Sequence, residues 1–270
     1  MGGRAQERGG SGGPLSAGGD ITGIGGSMEN ESRTETASRA AATAAGRPLR
    51  DVRAFWRILL AVITPLPLFA QAVYQLLMPG PAGGDFASTL DMVGSAQGTV
   101  GALQWVGAVF TVTLIPATCT VAWVARRGAP RLATAGALLS ILGFLASALL
   151  PNDHLIALVT LQGGIDQGAA TALDQGLWAN PVVSAASGLW ILGLTVGLAL
   201  VGAALWRSRV APAWAGVALM IAGPTHPFIP GQVGSAAGLV VGAIGMAGAG
   251  VALLRMRDDE FDLPPGRRSS

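Results

Sequence analysis

The sequence predicts an all-α fold: a polytopic transmembrane helical bundle of six spans, with N- and C-termini cytoplasmic and a disordered N-terminal tail. Three observations predict it. Of 270 residues, 51% are hydrophobic and only 12% charged, against about 25% charged in an ordinary soluble domain. The apolar residues gather into runs of the length that one helical crossing needs, ~20 residues. Finally, the Arg residues of the bundle fall in alternate connections and Trp residues mark the run ends, the pattern of positive-inside loops and interfacial aromatic belts.

Residues 1–54 form the tail. They are rich in Gly, Ser, Ala and Thr and cannot bury enough apolar surface to offset their ordering entropy, so a disordered cytoplasmic segment is expected. Met28 offers an alternative start. The six-helix domain follows over 55–256. Its first span, 56–78, reads WRILLAVITPLPLFAQAVYQLLM; Pro65 and Pro67 lack an N–H and should kink it. Arg50, Arg53 and Arg57, followed by a short apolar stretch and Ala70-Gln71-Ala72, also resemble a signal peptide with its cleavage site, but the apolar character continues to Met78. Residues 79–98 read as a polar, Gly-rich loop carrying Asp85 and Asp91.

The second span, 99–125, has Trp105 and Trp123 near its ends and Pro116 inside. Arg126, Arg127 and Arg131 form a turn into the third span, 132–150. The connection 151–181 carries Asp153, His154, Asp166 and Asp174; its apolar stretch HLIALVTLQ is too short to cross and is expected at the interface. The fourth span, 182–206, is capped by Arg207 and Arg209. Pro212 suits the first turn of the fifth, 211–229, which ends in GPTHPFIPG. A turn at Gln232 and Gly234 leads to the sixth, 236–254, closed by Arg255 and Arg257, and residues 257–270 read as a flexible cytoplasmic tail.

Trp123, Arg126, Arg127, Arg131, Trp206, Arg207, Arg209, Arg255 and Arg257 therefore act as topology anchors. The connections after spans one, three and five contain no Arg, which puts them outside and both termini inside. Trp56 and Trp214 join the inner belt; Trp105, Trp178 and Trp190 fall toward the outer one. ASTLD (87–91) and ATALD (170–174), each followed by a Trp-bearing span and a basic corner, suggest a duplicated hairpin of the kind transporters carry, although Ala- and Gly-rich sequences align readily with one another.

No span has an ionisable group at its centre, which withdraws support from a proton relay. The polar residues that could line a passage near Pro116 are Gln104, Thr113 and Thr118. Gly193 with Gly197, and Gly238 with Gly242, place glycines one turn apart for close helix packing. On the outer side, His154, His226, Asp153 and Asp166 are weak candidates for a metal or a pH-sensitive site, since no metal-ligand spacing motif is present. With Cys119 the single cysteine, no intrachain disulfide can form. Phosphate-binding glycine loops, nucleophile elbows and dinucleotide fingerprints are absent from the sequence, so no cofactor is expected. All 17 basic residues are Arg, and the net charge is +2; the dispersed Arg give no nucleic-acid patch.

The expectation is thus a multi-pass plasma-membrane protein, non-enzymatic, with a structural or partner-subunit role. Its partners would be the bilayer and either a second copy or another membrane protein. A small-solute transporter or channel near the proline-broken helices is the alternative. A membrane-embedded enzyme or metal site on the outer face comes third.

Overall fold

In a computed structural model the described residues are 52–80 and 85–262, with the side chains of His226, Pro227, Asp259 and Asp262 also outside the description. The tail 1–51, Met28 and residues 263–270 lie outside these bounds. The described residues are mostly helical and contain no strand.

The first apolar run is two helices, α1 (Arg53–Ile63) and α2 (Leu66–Leu77). They part at Thr64 and Pro65, because two prolines in three residues remove two backbone N–H donors from a single turn. Thr64 is fully buried there and turns its hydroxyl back to the Leu60 carbonyl. Ala70 and Ala72 lie within α2, Ala72 at 1% exposure, so the Ala-Gln-Ala segment is the packed interior of a continuous helix.

Next come α3 (Phe86–Ser95) and α4 (Gln97–Ala125), the latter 29 residues long and unbroken through Pro116. α5 (Pro130–Ala146) ends in a 3-10 turn, Ser147–Leu149; α6 (Asp153–Gly163), α7 (Gln167–Trp178) and α8 (Pro181–Leu192) follow. A π turn, Gly193–Gly197, joins α8 to α9 (Leu198–Ser208), and α10 (Ala213–Phe228), α11 (Gln232–Leu254) and the short α12 (Asp258–Asp262) complete the chain. Five helical stretches are long and apolar enough to cross a membrane: Arg53–Leu77, Gln97–Ala125, Pro130–Gly163, Pro181–Ser208 and Gln232–Leu254. The expected fifth span falls short of this. α10 has 16 residues and at 1.5 Å each measures about 24 Å against a hydrocarbon thickness of ~30 Å.

The rods nevertheless alternate in direction. At one end the Arg57 guanidinium donates to the Met256 carbonyl (2.8 Å), Arg127 pairs with Glu260 (3.2 Å), and Gly128 lies against Ser208. At the other, Gln232 donates to the Met78 carbonyl (3.0 Å) and Asn152 to Gln104 (2.9 Å). α9 therefore ends where α11 finishes, α11 begins at the opposite end, and α10 runs between them along both neighbours. Every described Arg belongs to the first end.

Small residues set the helix spacing. A Cβ on Gly143 would meet the Leu189 carbonyl oxygen at 2.6 Å and Gly193 Cα at 2.7 Å, and one on Gly197 would meet Ser140 N at 2.8 Å. Gly202 and Gly216 face each other's carbonyls across α9 and α10, Gly238 lies against Thr225, and Gly242 against Ala222 and Leu68. Close backbone approach lets dispersion and interhelical polar contacts replace a hydrophobic drive. Ser140 accordingly donates to the Gly193 carbonyl at 3.3 Å.

The connections expected as loops are a helical cap. Residues 79–98 contain α3, capped by Asp85, whose carboxylate accepts from Ser88 N at 2.8 Å. α6 is capped by Asn152 and closed by Gly164 at φ 61°, and Asp166 caps α7. Phe86, Leu90 and Val93 of α3 meet Val100 and Leu103 of α4, Ala157 and Leu158 of α6 and Ala170 of α7 in a second apolar core. Side-chain oxygens that accept from the first-turn N–H groups, and a small core of their own, make these 10–12-residue helices stable where sequence polarity suggested coil. The two halves of the suggested repeat are not equivalent: Leu90 is buried and Asp91 exposed, whereas Leu173 is 57% exposed and Asp174 buried.

Two further differences lie elsewhere. Residues 258–262, read from sequence as part of a flexible tail, form α12, held by the Arg57–Asp258 and Arg127–Glu260 pairs. Trp190 packs inward against Phe110 (6.2 Å between centroids) and Phe144 (5.7 Å), as core filler more than as a rim residue.

Candidate functional site

The residues with most chemical capacity converge at the junction of the cap and the bundle. The N-terminus of α6 presents Asn152, Asp153 and His154 in succession; α2 brings Tyr74, α4 brings Gln104, and α7 brings Asp174 and Trp178. Tyr74 Oη and His154 Nδ1 are 3.3 Å apart, with the rings edge-on at 6.2 Å between centroids. Gln104 lies beside the Tyr74 hydroxyl and accepts from Asn152. The Trp178 indole donates to Asp153 Oδ1 at 3.2 Å.

Asp153 and Asp174 form a carboxyl pair. Asp174 is 7% exposed, and one of its oxygens, Oδ1, is buried with no hydrogen-bond partner. Burial, then the charge of Asp153 and the hydrogen bond to it, push the Asp174 carboxyl above the usual carboxylate range. Burial and the adjacent carboxylate both favour the protonated form of Asp174, since two adjacent carboxylates resist ionising together. Asp85, by contrast, is held below the usual range, first by the Ser88 backbone N–H and then by the Ser88 side chain.

Among the weak metal candidates, the structure brings Asp153 and His154 together but keeps Asp166 apart as the cap of α7, bonded to Ala169 N at 2.8 Å. His226 lies within α10, and its side chain is outside the description. Among the described residues no group of three or more His, Cys, Asp or Glu could hold a metal ion. What the geometry of this arrangement supports is a hydrogen-bonded polar cluster between cap and bundle.

The residues expected to line a passage do not share one. Gln104 and Thr113 are nine residues apart on α4 and so face opposite sides of it, while Thr118 lies about 21 Å along the axis from Gln104. Thr113 and Thr118 donate to the carbonyls of Val109 (2.6 Å) and Leu114 (2.9 Å) on their own helix, satisfying the hydroxyls locally.

Sequence reasoning overlooked Tyr74 and Asn152. Tyr74 is the single tyrosine of the chain and ends an apolar run at the cap side, a place where an amphipathic ring invites attention. Asn152 directly follows Pro151, a turn and N-cap signal.

The anchors occupy the opposite end. The Arg126 guanidinium stacks 3.5 Å from the Trp123 ring centroid, and Arg131, Trp206, Arg207, Arg209, Arg255 and Arg257 begin or end helices there. Searches for relatives leave these features to stand alone: no family model, no curated protein and no solved structure matches this chain.

Proposed function

We propose that the chain is a multi-pass protein of the plasma membrane that crosses it six times, keeps both termini in the cytoplasm, and serves as a non-enzymatic structural or partner subunit. The observation that carries this reading is the direct backbone contact between rods, above all Gly143 against Gly193. Such contact favours a static scaffold over a solute path. The alternation of rods supports α10 as the additional crossing, the fifth in chain order, made despite its length because α9 and α11 flank it and the bilayer can thin locally at modest cost. Arg at one end and the helical cap at the other support cap-outward orientation.

The cap is the surface that a partner would meet. Co-purification from intact membranes after crosslinking at exposed cap positions such as Asp91 tests the role: recovery of one membrane protein or a second copy supports it. Solute flux by the purified chain in sealed vesicles, with no such adduct, would replace it with the transport reading.

A further inference from the structure

At the arginine end an apolar groove of about 390 Å³ opens between α1, α4 and α11, lined by Trp56, Leu60, Pro116, Cys119, Trp123 and, as its lid, Phe261 of α12. Its volume falls in the range of small-ligand sites, roughly 300–1,000 Å³. The lining is almost entirely carbon, but the rim is cationic. The Arg57 guanidinium lies 5.7 Å from the Phe261 ring centroid, and Arg127 stands at the adjoining corner. Two carboxylates of the chain already occupy these cations: Asp258 pairs with Arg57 and Glu260 with Arg127.

The pairing is lopsided. The Arg57 and Arg127 side chains are 15% and 20% exposed, whereas those of Asp258 and Glu260 are 54% and 42% exposed. Asp258 can therefore swing into water at little cost, and Glu260 can release Arg127 while its other oxygen still accepts the Arg257 N–H at 2.9 Å, so the cations stay in place as the acids turn away. Arg57 also keeps one buried donor, Nε, without a hydrogen-bond partner, a costly state for a charged group and one that an added anionic oxygen would relieve. Trp56 and Trp123 on the groove wall are the ring type that settles at headgroup depth.

We infer that this groove is a binding site for an anionic phospholipid, one acyl chain lying along Leu60, Pro116 and Cys119 and the phosphate meeting Arg57 and Arg127. Asp258 and Glu260 are the internal competitors, and α12 is the lid that headgroup binding lifts. The inference rests on reading the bundle as membrane-embedded, although not on which leaflet faces the groove.

The test uses the full chain in non-ionic detergent and measures retained lipid by native mass spectrometry, comparing phosphatidylglycerol with phosphatidylcholine of identical chains. Phosphatidylglycerol is expected to be retained preferentially. Arg57→Gln should weaken that retention by at least about tenfold, the loss of one charge-assisted contact, and Cys119→Trp should weaken it by filling the groove. Asp258→Asn with Glu260→Gln should strengthen it, which keeps the test meaningful should Arg57→Gln fail to fold. Arg209→Gln, at a corner away from the groove, should leave it unchanged. Equal retention of the two lipids, or retention of phosphatidylglycerol insensitive to both Cys119→Trp and the acid-neutralising pair, overturns the inference. A wrong orientation would show in residue accessibility and leave these lipid measurements standing.

Discussion

Adding one methyl group at Gly143 should destabilise the bundle, while the same change at Gly188, on the facing rod, should stabilise it. At Gly143 the new Cβ would sit 2.6 Å from the Leu189 carbonyl oxygen and 2.7 Å from Gly193 Cα, both backbone atoms with no rotamer to yield. The rods must separate, and overpacking of this kind costs about 1–3 kcal/mol. At Gly188 nothing lies within 4 Å of the new Cβ, so Ala gains the roughly 0.5–1 kcal/mol by which it exceeds Gly inside a helix. At about 2–4 °C per kcal/mol for a chain of this size, Gly143→Ala should lower Tm by roughly 2–12 °C, and Gly188→Ala should raise it by a few degrees. Thermal unfolding of the purified variants in one detergent, followed by circular dichroism, measures both. If Gly143→Ala is as stable as Gly188→Ala, the close contact of α5 with α8 and the π turn does not hold the bundle together.

Other outcomes concern the cap. Because the folded Asp174 carboxyl is raised above its unfolded value, its contribution is fully present below the unfolded value near 3.9 and is lost as pH rises through the folded one. Indole fluorescence from Trp178, with the other Trp residues replaced, should report a cap that loosens with rising pH, and Asp174→Asn should flatten that response; loosening with falling pH would contradict it. Asp85 works in the opposite sense, so the readout must sit on α7. Asn152→Ala removes both the cap of α6, bonded to Leu155 N at 3.1 Å, and the Gln104 contact. It should cost about 1 kcal/mol and raise amide exchange across 153–163 while leaving α11 protected; uniform exchange would show that the cap and the bundle unfold as one.

The rods were legible in the sequence because transfer of a span-length apolar run and the placement of Arg are additive, residue-by-residue costs that need no tertiary knowledge. Breaks at Pro65 and the corner at Arg126 follow from local chemistry in the same way. The cap was not legible, for a physical reason: α3 and α7 have polar or Gly-rich sequences such as FASTLDMVGS, and they gain their stability from a core assembled out of segments that are distant in the chain. The candidate site depends on the same assembly. Asp153 and His154 could be named from their place in an outer connection, but Tyr74 meets His154 across 80 residues and Asn152 meets Gln104 across 48. α10 sits between these cases, legible as an apolar helix but, at 16 residues, shorter than the ~20 residues of an ordinary crossing.

Residue accessibility tests the six-crossing reading most directly. In a Cys119→Ser background, single cysteines at Asp91, Asp166 and Val233 should react with a membrane-impermeant maleimide on intact cells, and one at Arg209 only after lysis. Val233 is the decisive position, because it is 74% exposed and lies just beyond α10. Reaction at Val233 from outside together with protection at Arg209 means that the 16-residue helix α10 crosses the membrane. Equal reactivity of Val233 and Arg209 from the same side would contradict the account.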